Sequence, residues 1–380
     1  MQFRDLKAQY EHLKTEIDAG IQSVIDSTGF IFGKPVIELE ERLAAYVGRK
    51  HCITCANGTD ALQLVLMAWG IGEGDAVFTS DFTFFASAGT VSILGATPVL
   101  ADIDPRTFNI DADDLEKQIQ RVLAEGKLTP KTIIPVDLFG QPADYLRILS
   151  IAERYGLKVL EDGAQGFGGS INGKMACSFG DAATTSFFPA KPLGCYGDGG
   201  AIFTDDDEMD AILRSMRAQG RSPEDKYDNR SIGMNSRLDT IQAAILMPKL
   251  KAFANYELDA VNRAAGWYTE RLKDIVVTPL VKEGFYSSWA QYTIMLENEA
   301  QRNGLQKALK EAEVPSMIYY PRGIHQQTAY ADRMLPDGFY SHTVAATHRV
   351  LNLPMHPYMA ESQVDEISHI IITFVNCKKR

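Results

Sequence analysis

The sequence is poor in cysteine, and its few thiols are not arranged like a disulfide framework or a metal site. Five cysteines occur in 380 residues, and this small, odd number favours reduced thiols. Cys52 and Cys55 have the spacing of half a zinc site, but no second Cys/His pair follows at the spacing that zinc requires. The segment around them is typical of a strand, so we expect two core thiols and no metal site.

The sequence also lacks a long hydrophobic run and an excess of positive charge. Its longest apolar cluster, at residues 370–375, is far shorter than the roughly 20 residues of a membrane-spanning helix. Lys and Arg number 38 against 49 Asp and Glu, and the net charge is −11. This balance disfavours nucleic-acid and membrane partners. The start, MQFRDLKAQY, lacks the apolar stretch of a secretion signal, so we expect a cytoplasmic protein.

What the sequence contains is an alternation of helix-like and strand-like segments, in a chain long enough for two domains. Apolar spacing predicts amphipathic helices over residues 6–24 and 36–47, the second ending at Gly48. Five β-rich runs separated by helical stretches follow within about 110 residues. This pattern predicts an α/β fold with a mostly parallel central sheet and helices on both faces.

The last third of the chain has a different pattern. A composition shift near residues 279–286 precedes a predicted strand at 290–296, a helix at 301–313, a strand at 316–320 and a final helix at 362–375. These elements predict a smaller C-terminal α/β domain with its own sheet. We therefore expect a large domain over residues 1–250 and a small domain over residues 251–380.

Lys191 and Asp162, which lie near the ends of predicted strands, suggest Schiff-base chemistry. Lys191 lies in a loop between two β-rich runs, among Pro, aromatic and Gly residues, where a flexible amine suits Schiff-base formation with a carbonyl. Asp162 closes another strand, at the edge of the sheet where ligands bind in such folds. Its carboxylate either caps the following turn or keeps the ring nitrogen of pyridoxal phosphate protonated. The presence of Lys191 favours the second interpretation.

A helix start can supply the donors that a cofactor phosphate needs. Gly58 permits close approach of the backbone, Thr59 adds a hydroxyl, and the helix that begins near Asp60 directs free amides at an anion. Taken alone, this segment is also compatible with an ordinary turn and helix cap.

Together these segments resemble the DegT/DnrJ/EryC1/StrS family of pyridoxal phosphate-dependent nucleotide-sugar aminotransferases, over essentially the whole chain. The motifs that carry the resemblance are NGTDAL at 57–62, TFFAS at 83–87, EDGAQ at 161–165, SFFPAK at 186–191, GDGG at 197–200 and GMNSR at 233–237. The resemblance implies the type I fold of pyridoxal phosphate-dependent transferases, as in aspartate aminotransferase. The chain departs from the family at Gly163, where alanine is usual, and at Tyr319-Tyr320-Pro321, where His-Tyr-Pro is common.

The resemblance also implies roles for individual residues. Lys191 would carry the cofactor and move the proton, and Asp162 would pair with the ring nitrogen. Gln165 would contact the ring hydroxyl, and Phe84, otherwise a core aromatic, would lie against the ring. The implied phosphate contacts are Gly58, Thr59, Asp60, Ser186 and, from the neighbouring subunit, Asn235. The active site would then be shared within a homodimer.

The resemblance is strongest to the subgroup that aminates UDP-2-acetamido-2-deoxy-3-oxo-glucuronate for bacterial surface polysaccharide such as O-antigen, with L-glutamate as the donor and 2-oxoglutarate as its product. A diphosphate and a uronate carboxylate call for cations and hydrogen-bond donors. The candidate substrate contacts are Arg237, Tyr319, Tyr320, Arg322 and His325. A structural ion pair is the alternative for each charged member of this set.

Other functions remain to be compared with this one. The substrate could be another 3-keto sugar or a 4-keto-6-deoxy sugar on UDP or dTDP, and a non-catalytic sugar-nucleotide-binding homologue would keep the fold without the reaction. A nicotinamide-dependent oxidoreductase needs G-x-G-x-x-G after its first strand, and the nearest match, at residues 70–75, ends in Asp75 and follows a helix. A dehydratase of the same superfamily has histidine at the position of Lys191.

Overall fold

The computed structural model describes residues 1–225 and 227–378. Within them the helices are α1 (Leu6–Ser27), α2 (Lys34–Val47), α3 (Gly58–Ala68), α4 (Ala86–Ile93), α5 (Ala112–Glu125), α6 (Tyr145–Tyr155), α7 (Asp207–Met216), α8 (Thr240–Ala252), α9 (Leu258–Leu272), α10 (Glu299–Glu311), α11 (Ser341–Arg349) and α12 (Glu361–Lys378). The strands are β1 (His51–Cys55), β2 (Asp75–Ser80), β3 (Thr97–Ala101), β4 (Thr129–Ile134), β5 (Lys158–Asp162), β6 (Ser170–Ile171), β7 (Lys174–Met175), β8 (Ala182–Ser186), β9 (Gly200–Thr204), β10 (Phe285–Tyr286), β11 (Tyr292–Met295) and β12 (Val350–Leu353).

A seven-stranded sheet forms the centre of the molecule, in the order β1-β9-β8-β5-β4-β2-β3. The pairs from β8 to β3 are parallel, while β9 is antiparallel to both β8 and β1. All strands of this sheet except β9 therefore run in one direction. Their carboxyl ends meet at one edge, which is where open α/β sheets bind ligands.

Helices cover both faces of this sheet, as the sequence predicts. Side chains alternate between the two faces along a strand, so Cys52 of β1 packs with α2 and α8. Its neighbour Ile53 packs in a second cluster with α3 and α7. Cys52 and Cys55 are both buried, and burial raises the pKa of each thiol. The predicted mostly parallel α/β architecture is confirmed.

A second core lies in the C-terminal part of the chain. Its members come from α9, α10, α12, β11 and β12 and lie between Val261 and Val375. β11 pairs with β12 in an antiparallel sheet. The strand predicted over residues 316–320 is wrong: Met317 forms only an isolated bridge to Asn352, and the Tyr319 amide donates to the Asn352 side chain at 3.0 Å. β12, which the sequence analysis missed, takes the place beside β11.

The two cores are joined through a continuous helical segment. α8 passes into a π-helical turn at Phe253–Glu257 and then directly into α9. The chain later returns to the large sheet, because Asp102 accepts hydrogen bonds from the amides of His342 and Thr343, each at 2.8 Å. Across the described residues, no helix combines the length and the hydropathy needed to cross a bilayer.

Candidate active site

The loop between β8 and β9 holds Lys191 at the carboxyl edge of the sheet. Its backbone amide donates to the Phe188 carbonyl at 2.9 Å, which fixes the turn. Burial lowers the pKa of the Lys191 amine, although the nearby Asp162 carboxylate partly counters this effect. A lowered pKa increases the fraction of neutral amine, which is the form that attacks carbonyls and takes up protons.

Asp162 is the last residue of β5 and is 5% exposed. Ser87 donates its hydroxyl to Oδ2 at 2.8 Å, and the Ala164 amide donates to Oδ1 at 3.2 Å. Burial raises the pKa of Asp162, whereas the Ser87 hydrogen bond and the charge of Lys191 lower it. Each carboxylate oxygen can accept more than one bond, so the oriented group retains acceptor capacity for a protonated ring nitrogen.

Gln165 and Tyr320, predicted from distant segments, are brought into contact. Gln165 accepts from the Phe139 amide through Oε1 at 2.9 Å and donates through Nε2 to the Tyr320 hydroxyl at 3.2 Å. The Tyr320 ring meets Phe82 edge to face, with 5.8 Å between centroids. Burial raises the pKa of Tyr320, so its hydroxyl stays protonated.

The predicted phosphate-binding segment begins α3. Asn57 caps this helix by accepting from the Asp60 amide at 2.8 Å, which leaves the amides of Gly58 and Thr59 without an intrahelical partner. A Cβ atom at Gly58 would lie 2.8 Å from the Cβ of Ser186, so only glycine allows the end of β8 to approach the helix so closely. The Asp60 carboxylate suits the helix start but repels a phosphate, and its amide already donates to Asn57, so the amides of Gly58 and Thr59 fit the predicted role better.

Phe84 follows β2 and is 55% exposed, an unusual fraction for an aromatic side chain next to the buried Ser87. The open ring, the Asp162 carboxylate and the Gly58 to Ser186 approach fit three parts of pyridoxal phosphate: the ring face, the ring nitrogen and the phosphate. The residues present therefore fit the predicted cofactor.

The remaining candidate residues lie apart from this group or are already bonded. Asn235 is exposed and forms a backbone bridge to Ala218, and Tyr319 stands with its ring 5.7 Å from that of Tyr320. Arg237 is half-buried and Arg322 is exposed. Among the ion pairs formed by residues 1–225 and 227–378, neither arginine takes part.

His325 has both ring nitrogens engaged. Nδ1 lies 2.6 Å from Asp81 Oδ2, and Nε2 lies 2.9 Å from Asp337 Oδ1. These carboxylates raise the pKa of His325, although burial acts against them. This arrangement favours a structural role for His325 over the predicted substrate contact. The side chain links the segment between α10 and α11 to the end of β2.

A pair of buried acids lies behind Asp162. Asp137 accepts from the Ala143 amide at 2.9 Å and from the Tyr145 hydroxyl at 2.8 Å, and its backbone amide donates to the Asp162 carbonyl. Burial raises the pKa of Asp137 to about 7 and raises that of Glu161 well above its usual value. The pair thus keeps a proton near neutral pH and limits the negative charge beside Asp162.

The sequence analysis missed several residues at the site. Ser87 lies in the TFFAS motif, and its place in the first turn of α4 was an available signal. Arg4 and His356 line a cavity together with Lys191, but neither stands in a local pattern that suggests it. Their proximity to Lys191 arises only from the fold.

Comparisons with known proteins agree with this geometry. A sequence profile of the DegT/DnrJ/EryC1/StrS aminotransferase family matches residues 11–372. The chain is 47% identical to the UDP-2-acetamido-2-deoxy-3-oxo-D-glucuronate aminotransferase of Pseudomonas aeruginosa, covering 96% of this chain and 97% of the relative. It is 40% identical to the UDP-N-acetyl-3-dehydro-alpha-D-glucosamine 3-aminotransferase of Acidithiobacillus ferrooxidans, covering 97% and 96%.

Solved structures give the same result. A DegT DnrJ EryC1 StrS aminotransferase from Brucella abortus superposes with a TM-score of 0.96 at 47% identity, covering 99% of each chain. DesV of S. venezuelae, solved in complex with a ketimine intermediate, superposes with a TM-score of 0.92 at 33% identity, covering 98% of each chain. The chain belongs to the DegT/DnrJ/EryC1/StrS aminotransferase family.

Proposed function

We propose that this aminotransferase moves an amino group from L-glutamate to the 3-keto group of UDP-2-acetamido-2-deoxy-3-oxo-glucuronate, releasing 2-oxoglutarate. The observation that carries the reaction is the placement of Lys191, at the carboxyl edge of the sheet, close enough to the buried Asp162 carboxylate for each to affect the pKa of the other. The choice of sugar is supported by the 47% identity, across 96% of the chain, to the Pseudomonas aeruginosa enzyme named for it.

The cofactor of this reaction is pyridoxal 5′-phosphate. When bound, it supplies a carbonyl carbon that takes the amino group and a ring that withdraws electrons from the substrate carbon. Asp162 would hold the ring nitrogen in its protonated form, and Gln165, which donates to the Tyr320 hydroxyl, would contact the ring hydroxyl. The amides of Gly58 and Thr59 and the Ser186 hydroxyl would hold the phosphate.

Lys191 acts as the proton carrier. As a neutral amine it takes a proton from the α-carbon of glutamate, and in the second half-reaction it delivers a proton to the former keto carbon of the sugar. The 2-oxoglutarate formed in the first half-reaction leaves before the keto sugar binds, so the kinetics are ping-pong. Burial serves this role because it keeps the pKa of Lys191 below the usual lysine value.

We further propose that the working unit is a homodimer with shared active sites. Exposed apolar side chains at Phe30, Ile31 and Phe32 adjoin the segment of Asn235, since Ile31 bridges Asp239. Such a patch favours burial against another protein surface. Asn235 would then reach the phosphate of the neighbouring subunit, and Arg237 with Arg322 would meet the sugar diphosphate. We also propose that the reaction takes place in the cytoplasm, and the resemblance assigns its product to surface polysaccharide such as O-antigen.

A second substrate has specific support. The Acidithiobacillus ferrooxidans relative at 40% identity is named for a 3-keto sugar that lacks the uronate carboxylate. Two further relatives, at 35% and 36% identity, are transaminases of dTDP-3-amino sugars. A non-catalytic sugar-nucleotide-binding role does not require the Lys191 amine at the carboxyl edge of the sheet.

A panel of UDP- and dTDP-linked amino sugars, run in reverse with the loaded enzyme, tests the assignment. Loss of the pyridoxal form should be fastest with the UDP-linked 3-amino-uronate. If only 4-amino-4,6-dideoxy sugars react, the proposed substrate is wrong. The Lys191→Ala variant is the control: it should lack the absorbance band that borohydride removes from the wild type.

A further inference from the structure

The segment before α1 places Arg4 beside Lys191. The Phe3 carbonyl accepts a hydrogen bond from the Met355 amide at 3.1 Å, which fixes this segment to the chain after β12. Arg4 and Lys191 line the same cavity, and the positive charge of Arg4 contributes to the lowered pKa of Lys191. Arg4 is thus part of the surroundings of the reactive amine.

The guanidinium of Arg4 has no bonded counter-charge within the described residues. It donates only to the carbonyls of Ala290 and Pro192, and both distances are 3.5 Å, the outer limit of a hydrogen bond. Burial lowers the pKa of Arg4 to about 10, and the charge of Glu257 counters only part of that effect. Arg4 is half-buried, and a cation withdrawn in part from water is normally paired, because an isolated one is costly.

Two arginines that are buried more deeply, Arg217 and Arg302, are both paired. Arg217 lies 2.5 Å from Glu40 and also donates to the Thr54 carbonyl at 2.8 Å. Arg302 lies 3.4 Å from Glu299. The weak bonding of Arg4 is therefore a local feature of this cavity and not a general property of arginines in the fold.

The acids near Arg4 are already used. Glu257 accepts from Gln9 at 2.9 Å and from the Tyr358 hydroxyl at 2.6 Å. Asp5 caps α1 by accepting from the Ala8 amide at 2.9 Å. Neither acid forms an ion pair with Arg4 in the described part of the chain, so an anion from outside the chain would give Arg4 a direct partner.

A second group in the cavity also lacks a partner. His356 is 3% exposed, and its Nδ1 atom has no hydrogen bond within the part of the chain described. Burial lowers the pKa of His356 to about 4, so the ring is neutral and can donate one hydrogen bond. Arg4 and His356 together offer a planar cation and a neutral ring nitrogen to one ligand group.

The size of the cavity indicates which kind of anion fits beside Arg4. It has about 20 Å³ accessible to water-sized groups, enough for one or two such groups. A carboxylate fits the planar donor face of a guanidinium, whereas a diphosphate is much larger. The cofactor phosphate is accounted for elsewhere, at the start of α3.

We infer that Arg4 is the residue that binds the reacting substrate's carboxylate beside Lys191. This inference rests on the proposed function. The carboxylate is either the α-carboxylate of L-glutamate or the uronate of the sugar, and the two half-reactions distinguish these sources.

The test compares the loaded wild type with Arg4→Gln, Arg4→Lys and, as the matched control, Arg333→Gln, which changes an exposed arginine outside the cavity. Single-turnover rates are measured separately with L-glutamate, with the UDP-linked 3-amino-uronate and with the same sugar lacking the carboxylate. A charge-assisted hydrogen bond of ordinary strength predicts a rise of about 10- to 100-fold in KM for Arg4→Gln, with a smaller change in kcat. Arg4→Lys should recover part of the loss, and Arg333→Gln should match the wild type.

The pattern of losses identifies the source. A loss with L-glutamate alone assigns Arg4 to the donor, and a loss with the uronate but not with its carboxylate-free counterpart assigns it to the sugar. Unchanged KM values in every arm overturn the inference while the proposed function stands. If the wild type reacts with no amino sugar, the proposed substrate fails, and the glutamate arm still tests Arg4.

Binding of succinate, a non-reacting dicarboxylate, provides a readout independent of turnover. By calorimetry, Arg4→Gln should weaken it about 10- to 100-fold. A purely structural Arg4 predicts a lower melting temperature for Arg4→Gln and unchanged succinate affinity, which would overturn the inference. We expect the melting temperature to stay level or rise, because the substitution removes a half-buried charge that has no ion-pair partner in the described part of the chain.

Discussion

At the scale of single residues, a hydroxyl controls the state of the carboxylate that faces the cofactor. Ser87 donates to Asp162 at 2.8 Å, and this bond lowers the pKa of a carboxyl group that burial otherwise raises. Removing the donor by Ser87→Ala therefore raises the pKa of Asp162 further. The ionised form then disappears at a higher pH than in the wild type.

We predict that Ser87→Ala shifts the acid limb of the kcat/KM profile upward by about one to two pH units, as loss of one charge-assisted hydrogen bond implies. Activity near neutral pH falls accordingly. The pH profile of the loaded enzyme measures this, and Ser87→Thr, which keeps the hydroxyl, should retain the wild-type limb. An unshifted limb in Ser87→Ala would show that the hydroxyl does not set the ionisation of Asp162.

At the scale of the elements, the close approach of α3 and β8 shapes the phosphate site. We predict that Gly58→Ala weakens pyridoxal phosphate binding about 10- to 100-fold, because a Cβ atom there lies 2.8 Å from the Ser186 Cβ. Fluorescence titration of the apo enzyme measures the affinity. Gly266→Ala in α9 is the matched control, since its Cβ meets no atom within 4 Å; it should stabilise the protein by about 0.5–1 kcal/mol. Equal cofactor affinity in both variants would contradict the prediction.

The elements also show what sequence patterns can predict. The central strands are apolar runs between turn residues, so their existence and order along the chain follow from local sequence, as do α1 and α2. Residues 316–320 look equally strand-like, but β11 pairs with Val350–Leu353 instead. That choice depends on tertiary packing, which a local pattern does not contain.

The same contrast applies to the site. Lys191 follows one strand and Asp162 closes the neighbouring one, each within a recognisable motif. Because the two strands are parallel, their carboxyl ends lie at the same edge of the sheet, so the proximity of the two residues can be predicted. The contact of Arg4 with Pro192, by comparison, joins positions 188 apart. Nothing near Arg4 in the sequence distinguishes it from a surface arginine, and only the path of the N-terminal segment across the fold does so.

At the scale of the whole molecule, a shared active site makes a specific prediction about mixed dimers. Lys191→Ala lacks the amine, and Asn235→Ala lacks the side chain that we propose the partner subunit contributes. Each homodimer should have low activity. Mixed dimers, formed by co-expression, should regain activity because one of their two sites contains both native residues.

Co-expression with differently tagged subunits, followed by tandem purification, isolates the mixed dimer for assay. A mixture of Lys191→Ala with Lys191→Ala carrying the second tag is the control and should stay inactive. A mixed dimer no more active than Asn235→Ala alone would place Asn235 outside the neighbouring site.

We propose that the large domain over residues 1–250 and the small domain over residues 251–380 move little as separate bodies. A continuous helical segment connects their cores, from α8 through the π-helical turn to α9. The connection is not a flexible linker. The π-helical turn at Phe253–Glu257 is the irregular part of this connection. Any bending there would displace Glu257, which lines the cavity of Lys191. Motion of the small core would therefore change the surroundings of the reactive amine.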